Sequence, residues 1–248
     1  MKRLIIFAFF KSFSLSEPPN ELFDQANKLY IQESYIESIK LYENILENNK
    51  GNSKIYYNLG NAYFRINKVG LAIWSYKNAL RLNPRNKDIS YNLTIAENYK
   101  VDRVTMPYTS FLLEKYRQVR MYLTADEWKL FGSLLFFALA LNSLFRKMAI
   151  LKNRFSSNIS QVLIIFIISV HILILDKYSQ EKKSYDEAIF IKKTNALSGP
   201  LSDNHQILFE VNEGSLAEIL RVNDDWVYII LLDGNTGWVK SETIRFIK

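Results

Sequence analysis

The hydrophobic rhythm of the chain changes twice. Between residues 20 and 100, apolar side chains recur at helical spacing. From about residue 130 to 175 they become nearly continuous, and from Ala188 onward they alternate in short runs. Three kinds of structure are expected in that order: amphipathic helices, membrane-type helices and short strands.

Within the first region the pattern returns after 34 residues. Tyr56-x-x-Leu59-Gly60-x-x-Tyr63, followed by Ala72, Tyr76, Ala79 and Pro84, is the pattern of a tetratricopeptide repeat. Gly60 and Ala72 are expected to be small because two antiparallel helices cross there. Tyr63, Tyr76 and Ala79 fill the seam, and Pro84 ends the second helix. One repeat earlier, Ala26, Leu29, Ser38, Tyr42 and Ile45 form a weaker copy. Its second helix opens on Ser34-Tyr-Ile-Glu37, a capping box. One repeat later, residues 89–100 form a single amphipathic helix that closes the stack.

Stacked helix pairs leave a concave groove lined by the first helix of each pair. Register turns Asn27, Tyr30, Lys54, Tyr57, Asn61, Phe64 and Arg65 toward it. Asn27 and Asn61 are equivalent, and an amide there can bond an extended peptide backbone. The plain alternative is that these are ordinary surface residues. The first copy is acidic (Glu33, Glu37, Glu43, Glu47) and the second basic (Lys54, Arg65, Lys68, Lys77, Arg81). That asymmetry either selects a partner or reflects solvated faces.

The continuous apolar stretches are residues 130–145 and 159–175, separated by Arg146, Lys147, Lys152 and Arg154. A span needs roughly 20 apolar residues, about 17 at the least. The first stretch extends back to Trp128, with Lys129 snorkelling, and the second is just long enough. The alternative is two buried helices of a globular core. Residues 162–175 argue against it, since they leave no polar face for water. Positive loops stay on the cytoplasmic side, so the flanking soluble regions face away from the cytoplasm. His171 lies within the second stretch, where a neutral histidine facing its partner helix is expected. Thr124-Ala-Asp-Glu127 is a second capping box, which starts the first span near Ala125 and sets Trp128 at headgroup level. Residues 105–123 read as an interfacial amphipathic helix or as a linker.

The N-terminus reads as an export signal. Met1-Lys2-Arg3 is a positive start, residues 4–10 are apolar, and Ser14-Leu15-Ser16 permits cleavage before Glu17. Lys11 interrupts the apolar run, and an uncleaved segment would act as a further anchor.

In the C-terminal region strands are expected at residues 188–192, 206–211, 216–222, 226–232, 237–239 and 243–247. Turn signals separate them: Ser198-Gly-Pro200, Glu213-Gly214, Asn223-Asp-Asp225 and Asp233-Gly234. Strands this short suggest a small, partly open barrel. Gly214, Asp225-Trp226, Asp233-Gly234 and Gly237-Trp238-Val239, in this order, resemble the bacterial SH3-like domain. Gly237 is expected to let Trp238 pack into the barrel. Trp226, Tyr228 and Trp238 form a candidate ligand-stacking surface, or else Trp226 and Trp238 belong to the core or rim. Where that family often carries a basic residue before Ser-Gly-Pro, this chain has Leu197, which removes any binding role tied to that charge.

The fold class is therefore multidomain: an all-α tetratricopeptide repeat region, a two-helix transmembrane hairpin and an all-β SH3-like barrel. The divisions are a signal peptide (1–16), repeats with a capping helix (20–103), a juxtamembrane segment (104–124), a first span (125–146), a cytoplasmic loop (147–158), a second span (159–176) and the barrel domain (184–248). Of 248 residues none is cysteine, which excludes disulfides and thiol catalysis. The net charge of +7 is spread out, without a basic patch interleaved with aromatics, so nucleic acid is not an expected partner. The two histidines, His171 and His205, have no metal-ligand spacing, and no phosphate loop or nucleophile elbow is present. No enzyme activity, cofactor or metal is expected.

The order export signal, repeats, capping helix, hairpin and barrel resembles the BatE-like, repeat-containing branch of the bacterial aerotolerance (Bat) family. Residues 56–84, the Asn92-Leu93 helix with Asp102 following, and residues 225–239 carry the likeness. The resemblance implies membrane partners with von Willebrand factor A domains, alongside a MoxR-type ATPase, and a role in stress resistance or envelope integrity. The expected role is a non-catalytic inner-membrane scaffold with both soluble domains in the periplasm. The alternatives are a peptidoglycan-peptide-binding module and an accessory to a separate enzyme.

Overall fold

The computed structural model describes residues 21–48, 52–100, 111–148, 150, 153–182, 187–200 and 206–247. The expected export signal, Asp102, Lys152, Ser184 and His205 lie outside them.

Five helices open the described chain: α1 (Glu21–Ile31), α2 (Tyr35–Asn48), α3 (Ser53–Arg65), α4 (Val69–Leu82) and α5 (Lys87–Asn98). Helix pairs α1–α2 and α3–α4 each close through a turn of the same shape. Glu33 and Asn67 take left-handed backbone conformations, with φ of 62° and 59°. Ser34 N–H then bonds Leu29 O, and Lys68 N–H bonds Tyr63 O, each at 2.9 Å. This closure starts α2; the Ser34 hydroxyl and Glu37 carboxylate do not form the expected capping box. Asn52 and Asn86 cap α3 and α5 with their side-chain oxygens. Gly60 lies directly beneath the Tyr76 ring, where a Cβ would stand 2.6 Å from Cε1. The close approach at Gly60 is therefore to an aromatic ring. Tyr42, Leu59, Ile73, Tyr76 and Ile89 fill the seam between helices.

Helices α6 (Phe111–Tyr122), α7 (Ala125–Lys147) and α8 (Asn153–Lys182) follow. Both α7 and α8 are long and apolar enough to cross a membrane. They pack on each other as a hairpin and leave most of their apolar surface open: Phe137 and Ile165 are 63% and 64% exposed. Two buried core helices would not look this way. Thr124 and Glu127 form the expected capping box at the start of α7. Helix α8 outruns the expected 159–176 span at both ends. At its N-terminal end, Asn142 of α7 donates to Ser156 O (2.9 Å) and Ser160 Oγ (2.8 Å), which holds that polar turn in helical form. The His171 ring lies edge-on to Phe136 of α7 at 5.3 Å. Trp128 is buried beneath α6 and donates its indole N–H to Arg120 O at 3.2 Å. Its indole is thus covered by α6, whose last open carbonyls include the one that takes its N–H.

Seven strands follow among the described residues: β1 (Glu187–Phe190), β2 (Thr194–Leu197), β3 (Ile207–Val211), β4 (Leu216–Asn223), β5 (Trp226–Leu231), β6 (Thr236–Lys240) and β7 (Ile244–Phe246). They form one antiparallel sheet in the order β3-β2-β6-β5-β4-β1-β7. Strand β2 was not expected, since Thr-Asn-Ala-Leu has no apolar alternation. Pairing with β3 and β6 makes it a strand.

The sheet does not stand apart from the helices. Alternate residues of β1 serve two cores: Ala188 and Phe190 face the barrel, while Ile189 joins the helical core together with Ile247. Trp74 of α4 donates to Phe246 O at 2.7 Å. Gly70 N–H donates to Glu213 Oε1 at 2.8 Å. A Cβ at Gly70 would meet Phe190 O at 2.3 Å, so the approach requires glycine. Arg245 pairs with Glu43 of α2 at 2.8 Å and covers the Trp74 ring at 4.9 Å.

Candidate functional site

Helices α1, α3 and α5 line the face opposite the docked barrel. Two adjoining hollows of about 340 Å³ and 220 Å³ open there and share Tyr30 and Asn61 as walls. Asn27, Lys54 and Tyr57 line the larger, and Phe64 and Arg65 the smaller. All the residues that sequence register turned toward the groove thus meet in one continuous depression.

The floor carries the same polar arrangement twice. Asn27 Oδ1 accepts from Tyr42 OH at 2.6 Å and from Asn58 Nδ2 at 2.7 Å. Asn61 Oδ1 accepts from Tyr76 OH at 2.8 Å and from Asn92 Nδ2 at 2.9 Å. Each member of the second triad lies 34 positions after its counterpart in the first. Both amide oxygens are therefore saturated, and an amide has two N–H donors besides. The Nδ2 groups of Asn27 and Asn61 have no partner among the described residues. Burial pushes the Tyr42 and Tyr76 hydroxyls above the ordinary phenol range, so both remain proton donors.

The rim adds cations and rings. Arg65 bonds Tyr35 OH at 3.0 Å and sits 5.4 Å over the Tyr35 ring, which favours its charged form. Lys54 is exposed at the mouth of the larger hollow. Tyr30, Tyr57 and Phe64 supply flat apolar surface. Chemically the depression offers donors and rings, which suits a ligand rich in acceptors. Sequence reasoning missed Asn58 and Asn92 as the groups that orient the two amides. Their identical separation was the available signal.

A second surface lies on the barrel. In β5 and β6 the inward residues are Val227, Ile229 and Val239, while Trp226, Tyr228 and Trp238 point outward and are half-buried. The expectation that Trp238 packs into the barrel is thus corrected. The glycine at 237 serves a different purpose: its Cβ would meet Ala196 Cβ of β2 at 2.9 Å. Ladder pairing aligns Ile207, Leu197, Trp238, Tyr228 and Arg221 in one outward row across five strands. The Tyr228 and Trp238 rings lie 5.1 Å apart. The row runs from β3 to β4 and so ends beside β1, while β1 and β7, at the other edge of the sheet, carry the contact with the helices.

No curated protein matches the chain. Residues 192–245, which hold most of the barrel and its outward aromatic row, match the family model of the bacterial SH3 domain.

Proposed function

We propose that the chain is a non-catalytic scaffold held at a membrane by α7 and α8. On this reading the helical stack is a tetratricopeptide-repeat domain, and its groove binds an extended segment of a partner protein. The observation that carries it is the doubled triad, which presents two oriented amide donors at one repeat's separation between aromatic walls. An extended peptide offers carbonyl acceptors along its length.

The positive loop between α7 and α8 favours a periplasmic location for the stack and the barrel. The packing of Ile189 and Ile247 into the helical core supports it, since two modules that share a core must lie on one side. The architecture resembles the aerotolerance family, so the proposed partners are membrane proteins with von Willebrand factor A domains, in a complex serving envelope stress resistance. Photo-crosslinking from position 57 in native membranes tests this. Capture of such a partner, abolished by Lys54→Glu with Arg65→Glu, is the expected result. Undiminished capture by the double variant overturns the groove reading.

The second reading is binding of peptidoglycan peptides by the barrel, favoured by the outward row of Leu197, Trp238 and Tyr228. Because the barrel shares its core with the helices, the full chain in nanodiscs is the appropriate reagent. It should co-sediment with purified sacculi, and Tyr228→Ala should weaken this severalfold. Equal sedimentation of both proteins excludes the row as the binding surface.

A further inference from the structure

We propose that α6 is an interfacial helix that lies in the lipid headgroup layer, beside the barrel-side ends of the two spans. The inference rests on reading α7 and α8 as membrane spans and adds a lipid-binding surface outside them.

The position of α6 is fixed by four contacts to the ends of the hairpin. Tyr116 OH and Arg120 Nη1 both donate to Asp176 Oδ2 of α8 at 2.8 Å. The Trp128 indole of α7 bonds Arg120 O, and the Lys177 ammonium of α8 bonds Leu123 O, just past α6. If α7 and α8 span a bilayer, Asp176 and Lys177 mark where its hydrocarbon ends. Helix α6 is therefore held at headgroup depth by the same residues that mark the boundary.

Tyr116 and Arg120, one turn apart, take up the side of α6 that meets α8. Another side carries an apolar stripe with no partner over it among the described residues. Phe111 and Val119 lie eight positions apart, and Leu112 and Val119 seven, so all three share a face. Leu112 is 78% exposed. Lys115, between them, holds its ammonium 5.6 Å from the Phe111 ring centre and donates to Gln118 Oε1 at 3.1 Å. A lysine beside an apolar stripe can lay its stem along lipid and keep its charge at phosphate level. Arg117 lies on the opposite side and has no partner among the described residues, as expected for a group facing water. Exposed Leu130 and Phe131 on α7, and Leu175 on α8, lie within three residues of Trp128 and Asp176, the groups that hold α6. An apolar stripe fastened beside the open apolar ends of two spans, with a cation at its edge, selects a phospholipid surface as the occupant in preference to a protein.

The chain has no native cysteine, so an environment-sensitive dye can be placed at single sites in the full chain in nanodiscs. Leu112→Cys should be quenched at least twofold by lipids spin-labelled near the headgroup, and little by lipids labelled at the chain terminus. Arg117→Cys should be unaffected by either. Phe137→Cys and Ile165→Cys should respond to the deep label. If the deep sites respond and Leu112 does not, the spans stand and the interfacial helix falls. If no site responds, both readings fall. A Leu112 dye that is shielded from water yet unquenched by lipid also overturns the proposal, since a protein would then cover the stripe.

Discussion

The indole N–H of Trp74 donates to the backbone carbonyl of Phe246, 172 residues away, across 2.7 Å. Trp74 belongs to α4 and Phe246 to β7, so one bond joins the helical stack to the last strand of the barrel. Around it, Arg245 covers the indole face and Tyr56 meets it edge-on at 5.6 Å. The barrel is thereby seated on the back of the groove and leaves the groove open.

Trp74→Phe removes the donor and leaves a carbonyl unpaired in an interface. The expected cost is about 1–3 kcal/mol, read from denaturant unfolding of the full chain in micelles. Gly70→Ala should be worse, because its Cβ would lie 2.3 Å from Phe190 O and the barrel must move to admit it. If both variants match the parent in stability, the seating described above is not a stable contact.

Alkaline pH should unfold the stack through its buried tyrosines. Burial raises Tyr63, with Glu43 adding to the effect, and burial also raises Tyr76. An unfolded tyrosine ionises near pH 10. Below that pH both states hold the proton, and the stabilisation is complete. Above it the unfolded chain releases protons that the folded chain keeps, so stability falls as pH rises. Tyr63→Phe should make that fall shallower while leaving the Glu43–Arg245 pair in place. The part of the tyrosinate absorbance that Tyr63→Phe removes should rise together with loss of helix, not before it.

Glu33 is strained in a way that Asn67 is not. Both occupy the left-handed position of equivalent turns, where a side chain with a short amide is tolerated and a glutamate is not. Glu33→Asn should therefore stabilise the chain by up to about 1 kcal/mol. A lower unfolding midpoint for this variant would show that the carboxylate makes a compensating contribution.

Much of this arrangement was legible in the sequence where a single period governed it. Helical spacing located the five helices of the stack, and repeat register put Asn27 and Asn61 on the depression that they line. The Thr124–Glu127 box put the start of α7 near Ala125, where the helix begins. What was not legible depends on which surfaces meet. Glu43 and Arg245 are 202 residues apart, and nothing in either local pattern marks them as partners. Glu43 looked like one member of a general acidic excess. Trp238 was misdirected because Gly237-Trp238-Val239 is apolar in both strand parities. Only the register with β5 decides that Val239 points inward.

One carboxylate connects the groove to the hairpin. Glu127 completes the α7 capping box by accepting from Thr124 N–H at 2.8 Å, and it receives both Arg85 nitrogens, at 3.0 and 2.5 Å. Arg85 also donates to Tyr122 O at 3.2 Å and leads into α5, whose Asn92 helps build the groove floor. Thr124→Ala removes only the hydroxyl half of the cap, at a cost of about 1 kcal/mol, and keeps the Arg85 fork. Glu127→Ala removes the fork and the carboxylate half of the cap, while the backbone N–H at 127 still donates to Thr124 Oγ. The pair is partly exposed, so its own contribution is small and weakened by salt. Its larger effect should be on orientation. Spin labels at the exposed Tyr91 and Tyr178 positions should show a narrow distance distribution in the parent and in Thr124→Ala. The distribution should broaden in Glu127→Ala, and in the parent at high salt. Equal widths in all samples would mean that the stack is oriented over the hairpin by the barrel alone.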